Sequence, residues 1–201
     1  YMKRLNKKNN SFILKKNRLT NSLKILTSEI ENIHEAVDII VNTIKKRGKL
    51  LLCGNGGSAA DAQHLSAEFL VRLRPNINRR PIPAISLAMD TSTITACGND
   101  YSFNNLFSRN LEALSNKNDI LIIISTSGNS KNILKVLKTA KKLNIFSIGL
   151  LGNKGGKAKK YCEKSIIVKS QNTATIQESH IFLGHYIFEQ VENILLKDKF
   201  I

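Results

Sequence analysis

Residues 50–70 read LLLCGNGGSAADAQHLSAEFL. The first four positions are apolar without alternation, which is the pattern of a strand buried on both faces. Glycines at 54, 56 and 57 then break the run, and from Ser58 the spacing turns helical. A strand, a tight turn and a helix in this order form the first half of a strand-helix-strand unit.

The same grammar recurs along the chain. Apolar runs stand at 49–53, 84–88, 119–125, 145–151 and 165–169. Helical patterns fill 58–73, parts of 91–115, 130–143, a short 155–162 and 174–197. Strand-helix repetition predicts an α/β fold, a doubly wound three-layer α/β/α sandwich on a five-stranded parallel sheet. Leu23, Leu26, Ile30, Ile33, Val37, Ile40 and Ile44 recur at spacings of three and four. They predict one amphipathic helix from Asn21, ended by Gly48. Residues 1–20 are basic with weak periodicity and read as an arm or a first helix. Residues 21–201 then form the domain. The proline- and charge-rich segment 72–83 reads as a surface loop.

The chain has 201 residues and a formal net charge of +16. The excess is mostly lysine, spread along the chain, and tryptophan is absent. This favours a solvated basic surface over nucleic-acid binding, and such a field also attracts small anions. No apolar run approaches the ~18 residues of a membrane helix, and no signal-peptide core is visible. Cys53, Cys97 and Cys162 form no paired motif, so neither a zinc ribbon nor a disulfide framework is indicated. The expectation is a soluble cytoplasmic protein with reduced thiols.

In a doubly wound sheet, ligands bind beyond the carboxyl ends of the strands. Three polar stretches fall there: CGNGGS (53–58), ACGND (96–100) and STSGNS (125–130). STSGNS delivers Ser125, Thr126, Ser127 and Ser130 to a helix start, where free N–H groups favour an anion. One hydroxyl suffices for a helix cap, and four point to a phosphate site. GNGGS lacks both the phosphate-loop ending GK[ST] and the dinucleotide fingerprint. It suits close backbone approach by a ligand and equally an ordinary turn. His64 and Glu68 share a helix face at i and i+4, a spacing that suits two metal ligands, a base with its orienter, or a surface pair. The last helix adds Gln177, Glu178, His180, His185 and Glu189, whereas His34 lies off the stripe of its helix and reads as structural.

Together, GNGGSAADAQH with its following Glu, GND, STSGNS and IQESHIFLGH resemble phosphoheptose isomerases, the sedoheptulose 7-phosphate isomerases of the SIS fold. The resemblance covers nearly all the chain beyond the basic arm. It implies a flavodoxin-like SIS subunit in a homotetramer, with active sites at subunit contacts. It implies isomerisation of sedoheptulose 7-phosphate to D-glycero-D-manno-heptose 7-phosphate, the first step of nucleotide-activated heptose biosynthesis, feeding products such as lipopolysaccharide. One zinc ion per subunit is implied on His64, Glu68, Gln177 and His185. Substrate contacts are implied for Asn55, Gly56, Gly57, Ser58, Glu68, Asn99, Asp100, Ser125, Thr126, Ser127, Ser130 and Gln177, and Arg72 matches a family arginine.

With those roles assigned, Glu68 is the candidate for proton transfer at carbon, and His185 the candidate acid/base for the sugar oxygens. Zinc would polarise the carbonyl. Gln177 and His185 lie eight residues apart, about 12 Å along an ideal helix. One ion reaches both only if the helix start is irregular or different subunits contribute, and His180 is a rival ligand. The family places Arg two residues before the glutamine, whereas Thr175 stands here. The alternatives are a non-catalytic SIS-fold binding protein of the replication-initiator-associating type, which lacks counterparts of Glu68 and His185, and an isomerase for another phosphosugar.

Overall fold

The structure is a computed structural model that describes residues 2–88 and 90–201, with side chains from residue 10 onward. Its five strands are β1 (Leu50–Gly54), β2 (Ala84–Ser86), β3 (Ile120–Ser125), β4 (Phe146–Gly152) and β5 (Lys164–Val168). They pair in the order β2-β1-β3-β4-β5, and every pairing is parallel. Leu50 to Gly54 lie opposite Ile120 to Ile124 in unbroken register. The chain starts at β1 and winds first to one side and then to the other, so the order reverses between β1 and β3. That is where such sheets open a crevice for ligands.

Seven α-helices cover the sheet among the described residues: α1 (Met2–Leu26), α2 (Ile30–Lys45), α3 (Gly57–Leu70), α4 (Thr91–Asp100), α5 (Leu106–Leu114), α6 (Lys131–Lys142) and α7 (Thr173–Lys197). Successive strand side chains alternate in direction, and this divides the core. Leu50, Leu52, Ile122, Ile124 and Leu150 face α2, α3 and α7 through Ile40, Leu65, Phe69, Leu183 and Phe188. Leu51, Cys53, Leu121, Ile123 and Leu151 face α5 and α6 through Phe107, Leu111, Ile133 and Val136. Three layers therefore form as the apolar runs predict.

The predicted helix from Asn21 to Gly48 is divided. Thr27 and Ser28 bond their hydroxyls back to the carbonyls of Lys24 and Ile25, and the backbone tightens into a short 3₁₀ turn. Such bonds compete with regular helix. Ile30, just beyond the break, is 43% exposed, so it leaves the apolar stripe. Segment 1–20 is helical from Met2, and the expected arm boundary falls inside α1. Buried Ser22 meets Ser179 with their hydroxyl oxygens 3.1 Å apart, which ties the end of α1 to α7.

At the end of α2 the left-handed residue is Arg47, with φ of 63°, rather than Gly48. Gly48 is needed for a different reason: a Cβ there would lie 2.1 Å from the Asn118 carbonyl oxygen. The short helix expected at 155–162 reduces to a 3₁₀ turn at Ala158–Lys160, because Gly155 and Gly156 take positive φ. The 72–83 loop is irregular, as its prolines predict. It is not wholly superficial, because Ile82 and the Arg79 side chain are fully buried. No helix among the described residues is long and apolar enough to cross a membrane.

Candidate active site

Two loops meet at the crevice. β1 delivers Asn55, Gly56 and Gly57, and β3 delivers Ser125 to Ser130. Gly56 has φ of 56° and ψ of −124°, a backbone shape that only glycine adopts freely, and it turns the chain into α3. The loops are joined by an amide pair. Asn55 Nδ2 donates to Asn132 Oδ1 at 2.9 Å, and Asn132 Nδ2 donates to Asn55 Oδ1 at 2.8 Å. Asn132 is buried in the first turn of α6. Sequence reasoning missed it, although its place just after the hydroxyl loop was a signal.

Within STSGNS the hydroxyls divide their tasks. Ser125 Oγ accepts from the Gly128 N–H at 3.1 Å, and Ser127 Oγ accepts from the Asn129 N–H at 3.2 Å, both shaping the turn. Ser130 occupies the cap position of α6 but makes no capping bond through its side chain. A plain helix cap therefore does not account for it. Ser58 is buried at the start of α3, and Asn99 and Asp100 stand exposed at the end of α4, with Asn99 Nδ2 donating to Asp100 Oδ1.

α3 and α7 lie side by side on one face of the sheet. Phe69 stacks on Phe188 with ring centroids 3.8 Å apart, and Gly184 permits close contact, since a Cβ there would lie 2.5 Å from Leu65. This packing unites residues far apart in sequence. His64 Nε2 lies 2.8 Å from His185 Nε2 and 3.4 Å from Glu68 Oε1. One ligand atom from each of His64, Glu68 and His185 lies within 4.8 Å of the others. Two imidazole nitrogens this close must share either a proton or a cation, because two lone pairs facing each other repel. Two imidazoles and a carboxylate form the donor set of an open catalytic zinc centre, so the residues fit such an ion. Burial lowers the pKa of His185, the neighbouring His64 lowers it further, and Glu68 pulls it back up. A neutral imidazole is the form that binds metal.

The other expected site residues sit apart from this cluster. Gln177 faces the start of α3, where its Nε2 would lie 2.5 Å from a Cβ on Gly57. Gly57 precedes His64 by two turns of helix, so within one chain Gln177 does not join the three-residue cluster. His180 is fully buried, and neither ring nitrogen has a hydrogen-bond partner among the described residues. Burial drives its pKa down to about 4, with the backbone of Leu151 opposing. It faces the sheet and does not replace His185. Arg72 is exposed just beyond the end of α3. Thr175 is buried, and its N–H and hydroxyl both donate to Asn172 Oδ1, so it completes the cap of α7.

Asp61 was missed in the sequence. It stands one turn before His64, and its Oδ2 is buried with no hydrogen-bond partner among the described residues. Burial raises its pKa, while His64 lowers it. The signal was its i, i+3 relation to His64.

Residues 16–152 match the SIS domain family. A phosphoheptose isomerase of Clostridium acetobutylicum is 48% identical over 170 residues, covering 85% of this chain and 86% of the relative. One from Helicobacter pylori is 44% identical over 181 residues, covering 90% and 92%. The solved structure of the phosphoheptose isomerase from Neisseria gonorrhoeae superposes with a TM-score of 0.85 at 34% identity, covering 92% of this chain and 98% of that one. The chain belongs to the SIS-domain phosphoheptose isomerases.

Proposed function

We propose that the protein isomerises sedoheptulose 7-phosphate to D-glycero-D-manno-heptose 7-phosphate in the cytoplasm, opening a route to nucleotide-activated heptose. The observation that carries this reading is the convergence of His64, Glu68 and His185 between α3 and α7, with α3 starting from the glycine loop at the sheet's crevice. The hydroxyls of Ser125, Thr126, Ser127 and Ser130, with the free N–H groups at the start of α6, hold the phosphate. Asn55, Gly56, Gly57, Ser58 and Gln177 line the sugar end, and Asn99, Asp100 and Arg72 supply further polar contacts.

The reaction moves one proton between neighbouring carbons through an enediol. Glu68 takes the proton from C1 of the ketose and returns it to C2. His185 gives a proton to the oxygen on C2 and takes one back from the hydroxyl on C1, which becomes the aldehyde, so the imidazole ends in the form in which it began. Zinc, bound by His64, Glu68 and His185, would supply electrophilic polarisation of the carbonyl. Gln177 would add a fourth ligand where a second subunit brings it to the centre.

The functional residues extend along α3 from Gly57 to Glu68, about 16 Å at 1.5 Å per residue, and Arg72 lies beyond its end. That is longer than one heptose phosphate, which supports active sites completed across the contacts of a homotetramer. The presence of both Glu68 and His185 weighs against a non-catalytic binding protein. The direct test is to incubate the purified protein with sedoheptulose 7-phosphate and identify an aldoheptose 7-phosphate by NMR. An inert sugar together with tight binding of a protein partner would favour the non-catalytic reading.

A further inference from the structure

Arg79 emerges from a loop, and its side chain is wholly buried. Its Nη2 donates to the carbonyl of Glu68 at 2.8 Å, and its Nη1 donates to the carbonyls of Phe69 and Arg80, both at 3.0 Å. Its Nε donates to Glu192 Oε1 at 2.6 Å. Glu192 is itself fully buried on α7, seven residues after His185 and therefore on the same helix face. One guanidinium thus ties the carbonyl end of α3 to α7.

The position is chemically telling. The last carbonyls of a helix have no partner within it and must find donors elsewhere. Here one of them belongs to Glu68. A buried ion pair is a poor source of stability and is often replaceable by apolar groups without loss. Glu192 already has a second cation, because Arg74 Nε donates to its Oε2 at 3.0 Å. Neutralising Glu192 therefore does not require Arg79. What Arg79 adds is a planar fork that reaches two helices at once, which lysine cannot reproduce.

We propose that Arg79 is a positioning residue for the isomerase centre. It fixes the last turn of α3 against α7 and so sets where Glu68 and His64 stand relative to His185. The inference rests on the proposed function for its catalytic consequence, but the placement of the three side chains can be read independently through metal affinity.

The test compares Arg79→Met, Arg79→Lys and, as control, Arg74→Met, which removes a partner of Glu192 without touching α3. Each protein is stripped of metal and titrated with zinc, its melting temperature is recorded, and kcat and KM are measured on the reloaded protein. Arg79→Met is expected to stay folded, because Arg74 still pairs with Glu192. Its zinc affinity and kcat should each fall roughly 10- to 100-fold, the range for loss of an outer-shell partner. KM should change less than about threefold, because the phosphate loops lie at the other end of α3. Arg79→Lys should restore the melting temperature but not kcat. Arg74→Met should keep both zinc affinity and kcat within about threefold. Unchanged zinc affinity in folded Arg79→Met, or equal losses in Arg74→Met, would overturn the proposal. If the wild-type protein proves inactive on the heptose phosphate, the function reading fails, while the zinc titration still decides the role of Arg79.

Discussion

His64 on α3 and His185 on α7 bring their Nε2 atoms within 2.8 Å although 121 residues separate them. Glu68 lies one turn further along α3 and completes the cluster. The contact exists because both helices pack on the same face of the sheet and because Gly184 leaves room for Leu65. On the proposed function the chemistry depends on a helix-helix distance, whereas the phosphate end depends on two strand-end loops. The two ends should fail separately.

Replacing Glu68 with Gln removes the base without a change of shape. Turnover should fall by roughly 10²- to 10⁴-fold, the usual contribution of a positioned acid or base. Affinity for the phosphosugar, measured by calorimetry, should change only a few-fold. Retained turnover would remove Glu68 from the proton transfer.

Replacing Asn132 with Ala deletes the reciprocal amide pair and leaves the Asn55 side chain without its partner. Thermal and denaturant unfolding should show a loss of roughly 1–3 kcal/mol, since each bond contributes about 1 kcal/mol and a stranded polar group costs more. The hydroxyl loop would no longer be registered against the glycine loop, so KM should rise more than kcat falls. A variant with unchanged KM would show that the pair serves stability alone.

Buried His180 imposes a pH dependence on stability. Its pKa is about 4 in the folded chain, below the 6.5 of an unperturbed histidine, so the unfolded chain binds the proton more readily. Its contribution is complete above pH ~6.5 and is lost as pH falls towards ~4, with a slope of at most about 1.4 kcal/mol per pH unit. The wild-type minus His180→Leu stability difference, followed by urea unfolding, should shrink across that window. A difference independent of pH would contradict the neutral, buried assignment.

Much of this arrangement is legible in the sequence. The runs LLLC and ILIII read as strands covered on both faces, and their alternation with helical segments yields the parallel sheet. The spacing of His64 and Glu68 alone suits a surface pair equally, and only the family resemblance singles them out, whereas Ser125 to Ser130 stand out by an excess of hydroxyls. What sequence conceals is set by tertiary contact. The break at Thr27–Glu29 arises from side-chain bonds that an apolar stripe does not reveal. Arg79 and Glu192 look like solvated charges, since only the fold brings the loop under α7. Asn132 looks like an ordinary helix-start residue until the glycine loop is placed beside it. His180 and His185 both sit in a helical context; the family resemblance favours His185, and the packing against α3 and β4 supplies the physical difference between them.

The proposed function rests on a metal-assisted isomerase centre built from His64, Glu68 and His185. The most direct test is the rate of sedoheptulose 7-phosphate isomerisation by chelator-stripped protein before and after zinc is restored. Turnover should fall steeply on stripping and recover as zinc approaches one ion per subunit. Full turnover by the stripped protein, with zinc binding undetectable, would contradict it.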